Sequence, residues 1–420
     1  MRIGIFTNNY LPNPYGVSTS IETFRREFEK QGPASTRGND RSPASPNRGE
    51  STRGGHEVFI FAPYWKGYKD NNINVFRYPS IDIEIKFHFP LAIPYSWKMN
   101  KIIKNLNLDV IHAQHPNLLG SVAMKWARRK KIPLIFTWHT LYDQYTNFVP
   151  FIPAKISAGY IIKKAVKFAN LADAVIVPTD SIIPILRKWG VENKNIIPIA
   201  TGVLEEEFKN ADRNKIREKY NIKNDEKVLL MISRLTAEKN VEFVFRSLKN
   251  ILADCPLEGG QSALKIKFLV VSDGYLLPKL KEFCAGEKIS DKVIFCGEVK
   301  REEIKNYYAG ADIFVYGSKS ETQGMIITEA MYMGLPIVAV SATGINSLVL
   351  NNGNGFLVSK NEKEFKTAVL KLITDKDLRK KFGEASSRIA RMNFTASVCA
   401  KKMLEVYQKV IDVYKAKIIG

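Results

Sequence analysis

The 420-residue sequence predicts an α/β protein built from two doubly wound, Rossmann-like domains. Short β-branched runs alternate with helix-length segments, the pattern of parallel βαβ units. These runs fall into two series of five, which fits two open sheets better than the competing layout, a single barrel. The length also suits two domains at roughly 100–200 residues each, and 45% hydrophobic residues supply their cores.

The first series comprises Ile3–Thr7, Val58–Ala62, Val110–Ala113, Leu134–Thr137 and Ala174–Pro178. A helix is predicted over Ile21–Gln31. It is followed by Pro33–Gly54, which contains Ser-Thr-Arg-Gly twice and is rich in Ser, Pro, Arg and Gly. With no apolar periodicity to offset ordering entropy, this stretch is expected to be a disordered insertion between Gln31-Gly32 and His56. The second series comprises Lys227–Ile232, Lys267–Val271, Val293–Cys296, Ile313–Tyr316 and Ile337–Val340, with a surface loop at Cys255–Ala263. Residues 172–179 and 311–318 echo one another: an Asp, an apolar strand, then a small hydroxyl residue at the strand's carboxyl end, where open α/β sheets bind ligands. Any βα protein can repeat such a phrase. The linker is placed near Ile199–Glu207, giving domains 1–199 and 200–399. The terminal helix, Ala400–Ala416 within 400–420, is expected to pack back on the first domain. Residues 330–359 carry no charge, but Gly and Pro break them into pieces too short to span a membrane.

The net charge is +21, with more than half of the excess in the first 200 residues. It favours anionic partners: nucleic acid, anionic lipid or phosphorylated substrates. The four cysteines form no C-x-x-C pair and sit at no metal spacing, so they read as thiols in a reducing compartment. The N-terminus enters a strand at once, without the parts of a signal peptide, and the expected location is cytoplasmic.

Glu321-Thr-Gln-Gly324-Met-Ile-Ile-Thr-Glu329 is the strongest chemical signal. A loop leaves the strand Ile313–Tyr316 and a helix begins near Gly324. Unpaired N–H groups at such a start suit a diphosphate. Gly324 permits close approach, and the two carboxylates can accept bonds from sugar and ribose hydroxyls. The competing structural reading is a capped helix with two surface acids. Ser233-Arg234-Leu-Thr-Ala-Glu-Lys239 follows a strand's carboxyl end, where Arg234 and Lys239 can both reach one diphosphate and neutralise a departing nucleotide. A solvated turn is the alternative there. In the first domain, Asn9–Ser20 offers Pro14-Tyr15-Gly16-Val17 before a helix, as a flexible loop facing the cleft, and His139 stands just past a buried strand. A lone histidine at such a place is more often structural than functional. His112 and His115 are weaker candidates still.

Together these residues resemble the retaining GT-B glycosyltransferases of family four over nearly the whole chain. Glu321-x(7)-Glu329, Ser233-Arg-Leu with Lys239, Ser272-Asp273-Gly274 and Gly355-Phe-Leu-Val stand in the family's order. The resemblance implies two domains facing a central cleft that holds a nucleotide sugar as substrate. Arg234 and Lys239 would grip its diphosphate, Glu321 the donor hexose and Glu329 the ribose. Backbone N–H groups of Gln323, Gly324, Met325 and Ile326 would hold phosphate and sugar oxygens. His139 would stand near the anomeric carbon, Gly16 would line the phosphate and acceptor side, and Asp273-Gly274 would shape the nucleotide pocket. Three departures bear on the phosphate loops: Gly16 lacks an adjacent glycine, Ser233 stands where Gly is common, and Tyr275 stands where Pro is usual. No acidic metal motif is present, so Arg and Lys are expected in the cation's role and no cofactor is implied.

His139-Thr-x-Tyr142-x-x-Tyr145, with Phe148-Val-Pro150 and Glu-Thr-Gln-Gly, looks like the branch that glucosylates diacylglycerol. UDP-glucose is then the expected donor and a lipid the expected acceptor. Two basic stretches fit peripheral attachment to an anionic membrane surface at about 1 kcal/mol per cation: Ile152–Phe168, with Lys155, Lys163, Lys164 and Lys167, and Lys125 to Lys131. An ordinary solvated helix face is the competing reading. The rivals are the same fold acting on a soluble sugar, sugar phosphate or polysaccharide, a sugar-nucleotide epimerase, and a nucleic-acid-binding protein. Nucleic acid is not an expected partner, since aromatics are not interleaved with the basic runs and no helix-turn-helix or zinc pattern occurs. The oligomeric state is left open.

Overall fold

The computed structural model describes residues 1–13, 16–31, 55–84, 88–141, 154–253, 264–319 and 321–419. Pro14-Tyr15, the 33–54 segment, the Tyr142–Pro150 stretch and the 255–263 loop lie outside the described residues. The chain divides into two compact units, Met1–Gly202 with Ala396–Gly420, and Val203–Thr395.

The first unit is built on a parallel sheet of β1 (Arg2–Phe6), β2 (Glu57–Pro63), β3 (Val75–Tyr78), β6 (Val110–Ala113), β7 (Leu134–Thr137), β8 (Ala174–Val177) and β9 (Ile196–Pro198). Its order is β3-β2-β1-β6-β7-β8-β9. Ile3 pairs with Val58 on one side and Val110 on the other, so the order reverses between β1 and β6. Central strands of such a sheet are covered on both faces, which is why they read as unbroken apolar runs. One face carries α2 (Trp97–Asn105), α3 (Leu119–Lys130), α4 (Ala154–Leu171) and α5 (Ile183–Trp189), packed around Phe6, Ile111, Phe136 and Val175. The other carries α1 (Gly16–Lys30) and α13 (Ala396–Ile419), where Phe28 meets Tyr407 edge to face at 5.6 Å. A short antiparallel pair, β4 (Ser80–Glu84) and β5 (His88–Ala92), follows β3.

The second unit holds β10 (Lys227–Ile232), β11 (Ile266–Val271), β12 (Val293–Gly297), β13 (Ile313–Tyr316), β14 (Ile337–Val340) and β15 (Gly355–Val358). The order β12-β11-β10-β13-β14-β15 is all parallel and reverses between β10 and β13. α7 (Val241–Leu252), α8 (Leu277–Gly286) and α11 (Glu362–Thr374) pack on one face. α6 (Arg213–Lys219), α9 (Ile304–Gly310) and α10 (Met325–Tyr332) pack on the other. α12 (Lys376–Asn393) reaches both clusters through Phe382 and Ala390.

All ten predicted strands are present, with ends moved by no more than a residue. β3, β4, β5, β9 and β15 were not anticipated. β3 is only half-buried, β9 has three residues ending in Pro198, and Pro90 interrupts β5, each a weak strand signal. α1 starts at Gly16, five residues before the predicted Ile21. Its first turns are Gly, Val, Ser and Thr, poor helix formers that tertiary contacts override: Ser18 and Ser20 are buried, and Thr201 donates to Ser20 at 2.7 Å.

Candidate functional site

In the C-terminal unit the expected residues gather where the carboxyl ends of β10 and β13 lie side by side. Arg234 is half-exposed after β10, with Nη2 3.4 Å from Glu238 Oε1. Lys239 ends a short turn, and the left-handed Asn240 behind it (φ 53°) donates its side-chain amide to Gly317 O after β13 at 2.9 Å. This bond ties the two loops. The Ser272–Tyr275 loop braces the first of them. Leu235 N–H donates to Asp273 O at 2.9 Å, Leu276 N–H to Leu235 O at 3.1 Å, and Ala237 N–H to the Tyr275 hydroxyl at 2.9 Å. A Cβ on Gly274 would lie 2.4 Å from Leu235 O, so glycine is required by that close approach. The unusual Tyr275 thus supports the Arg234–Lys239 turn, while the Asp273 carboxylate accepts the N–H of Gly274 at 2.6 Å.

Gly344 N–H donates to Glu321 O at 2.9 Å, and a Cβ there would collide with Thr322 at 2.6 Å, which fixes the Glu321 backbone. The Glu321 carboxylate receives two donors on one oxygen: Lys239 Nζ and the Tyr316 hydroxyl each reach Oε1 at 2.5 Å. Gln323 is buried, and Gly324 adopts φ 77° as the cap of α10. Met325 and Ile326 occupy the first two positions of that helix, where N–H groups have no carbonyl four residues back. Glu329 is held differently. It is 4% exposed, with Arg301 Nη2 at 2.7 Å on Oε1 and the Tyr308 hydroxyl at 2.9 Å on Oε2. Arg301 also meets Glu207 at 2.8 Å and lies over the Phe208 ring at 5.4 Å. Each Glu329 oxygen therefore accepts one bond from a side chain of this unit, which leaves a second lone pair on each.

In the N-terminal unit, Gly16 opens α1, and among the described residues no atom lies within 4 Å of where a Cβ would stand. The segment before it is anchored by Arg77, which donates to Leu11 O at 2.7 Å and pairs with Asp70 at 2.6 Å. His139 follows β7, half-buried, its Nε2 2.6 Å from Gln114 Oε1. Burial, then His115 and His112, push its pKa down to about 3, so the imidazole is neutral, with Nε2–H donating to Gln114. His115 Nδ1 accepts the Asn8 N–H at 3.1 Å. His112 is structural: Nδ1 lies 2.6 Å from the Tyr407 hydroxyl and Nε2 2.6 Å from Thr137 Oγ1.

The basic stretches part company. Lys130 donates to the carbonyls of Lys104 and Leu106 at 2.9 Å, closing the C-terminus of α2 at the amino edge of the sheet. In α4, Lys163, Lys164 and Lys167 are exposed while Ala165, Phe168 and Ala169 are buried, and Lys164 lies over the Tyr160 ring at 4.6 Å. Tyr316, Arg301, Tyr308, Gly344 and Gln114 were missed by sequence reasoning. Tyr316 left one trace, a hydroxyl in an otherwise apolar strand; Arg301 and Gln114 left none.

Two parallel sheets, each reversing its strand order at one point, define a doubly wound, Rossmann-type protein. Residues 212–388 match the family described as glycosyl transferases group 1, and residues 50–207 match Glycosyltransferase Family 4. An alpha-monoglucosyldiacylglycerol synthase of Streptococcus pneumoniae is 32% identical over 85% of this chain and 75% of its own. One of Acholeplasma laidlawii is 28% identical over 98% of both chains. The Anabaena HepE protein, solved with UDP and glucose, has the same fold, with a TM-score of 0.70 at 18% identity over 97% of this chain and 100% of that one. The chain belongs to glycosyltransferase family four, with the GT-B fold. Among the described residues, no helix is long and apolar enough to cross a membrane.

Proposed function

We propose that this glycosyltransferase moves glucose from UDP-glucose to 1,2-diacylglycerol with retention of configuration. The observation carrying the proposal is the likeness to two monoglucosyldiacylglycerol synthases along 85% and 98% of the chain. The Lys239–Glu321–Tyr316 cluster supports it, placing a cation and a carboxylate together where a diphosphate-linked sugar would need both.

In this reading Arg234 and Lys239 bind the diphosphate, and the N–H groups from Gln323 to Ile326 take phosphate and sugar oxygens. Glu321 accepts from hexose hydroxyls and Glu329 from the ribose. Gly16 leaves room on the phosphate and acceptor side, Asp273-Gly274 shape the nucleotide pocket, and His139, being neutral, orients through hydrogen bonds without adding charge. The acceptor hydroxyl attacks the anomeric carbon from the face UDP leaves. The carbon–oxygen bond to phosphate breaks, the new glycosidic bond forms, and the hydroxyl proton passes to the departing phosphate oxygen. Cationic side chains supply the neutralising charge, so undiminished activity in EDTA is expected.

The acceptor reading brings a bilayer surface with it, and two features support one. α4 presents Lys163, Lys164 and Lys167 beside exposed Tyr160. Tyr64, Ile81, Tyr95 and Trp97 are exposed, the last at 80%, and exposed Lys66, Lys98 and Lys101 lie close to three of them in the sequence. Aromatics and lysines together suit a headgroup layer, and attachment would then be peripheral, on the cytoplasmic side. The test is UDP release from UDP-glucose with and without diacylglycerol in anionic vesicles. Lipid-dependent release is expected. Release that instead requires a soluble sugar would overturn the lipid acceptor.

A further inference from the structure

Tyr316 closes β13, is 2% exposed, and packs among buried Ile232, Val271, Ile327 and Ile345. Its ring lies 6.1 Å from that of Phe314 at 27°. Phenylalanine would fill this place equally well, so the hydroxyl is what calls for explanation. A buried hydroxyl is costly unless bonded, and this one donates to Glu321 Oε1 at 2.5 Å. Lys239 Nζ reaches the same oxygen at 2.5 Å. Among the described residues Glu321 Oε2 has no partner, so one oxygen is doubly held and the other is open.

We propose that Tyr316 is a positioning residue for the donor hexose, its hydroxyl holding Glu321 Oε1 so that Oε2 faces the sugar hydroxyls. The inference rests on the reading of Glu321 as the hexose ligand. Lys239 cannot do this work alone. In the same reading its ammonium turns to a diphosphate carrying more charge than one carboxylate, and its hold on Glu321 weakens as the donor binds. The phenol carries no charge to be drawn away. Burial and the neighbouring carboxylate hold its pKa well above the ordinary value, so it remains a proton donor throughout. It keeps the carboxylate in one rotamer while the lysine changes partner, which preorganises the sugar contact.

The test is calorimetric titration of wild type and Tyr316→Phe with UDP and with UDP-glucose. UDP lacks the hexose, so its affinity should stay within about twofold. UDP-glucose should weaken by about 10- to 100-fold, the usual effect of losing a hydrogen bond to a charged group. An equal shift for both ligands, or none for either, overturns the proposal, and an unchanged melting temperature separates positioning from damage to the fold. Glu321→Ala tests the underlying reading independently. If it leaves the UDP-glucose to UDP ratio intact, the hexose assignment fails. If it abolishes the ratio and Tyr316→Phe does not, only the role of Tyr316 fails. In the Glu321→Ala background Tyr316→Phe should add nothing further.

Discussion

Acid should weaken the N-terminal unit selectively, because all five histidines lie before residue 140. His112 is 3% exposed, and burial pushes its pKa from 6.5 down to about 3. A base with a depressed pKa binds its proton more readily in the unfolded chain. Its contribution is therefore complete above about pH 6.5 and is lost as pH falls toward 3. The full span corresponds to ~5 kcal/mol at most, and the part lost by pH 5 to ~2 kcal/mol. His115, lowered to about 4, and His139, lowered to about 3, act in the same direction. Such a loss is a large fraction of a domain's stability of ~5–15 kcal/mol. All five tryptophans (65, 97, 126, 138 and 189) also belong to this unit, so tryptophan fluorescence during urea unfolding reports on it alone. His112→Asn removes the titrating group, and its stability should fall less between pH 7.5 and pH 5 than that of wild type, by ~2 kcal/mol. Equal losses in the two proteins would refute the reasoning.

Lys239→Ala and Glu321→Ala should each cut transfer by about 100-fold or more, since each removes charge complementarity at the reacting donor. Both variants should keep the native fold, and full activity in either would refute the site. Gly274→Ala puts a methyl 2.4 Å from Leu235 O, so the Arg234–Lys239 turn must shift. The donor KM should rise about tenfold, a typical cost of misplacing binding groups, with acceptor KM unchanged in the same assay. Deleting residues 33–54 should leave thermal stability and activity nearly intact. The flanks already meet, with His56 N–H donating to Phe28 O at 3.0 Å, and a large drop in melting temperature would show that the segment contributes to the core.

What could be read in advance was the part of the fold governed by local chemistry. Ile337–Val340 announces a buried strand because four apolar residues, three of them β-branched, leave no polar face to place. Its neighbour β15 begins with a glycine that looks like loop. That glycine is needed because a Cβ on Gly355 would stand 2.2 Å from Ile337 O across the ladder, a contact no single-strand pattern reveals. The same boundary runs through the site. Glu321, Gly324 and Glu329 are spaced along one loop and helix, so their pattern is visible. Arg301 reaches Glu329 from another element, and no periodicity links the two. Charge could be counted along Lys125 to Lys131, but that Lys130 closes α2 at the amino edge depends on where α2 ends.

The chain leaves the first unit at Gly202 and returns to it at Ala396. During synthesis the second unit, a continuous stretch, can complete its sheet as soon as residues 203–395 have emerged. The first unit has all its strands by Pro198 but still lacks α13. Until α13 arrives, Phe28 lacks the Tyr407 ring and His112 Nδ1 lacks the Tyr407 hydroxyl. The part made first is thus the part finished last, and its apolar α13-binding face stays within reach of chaperones for the whole time the second unit is being made.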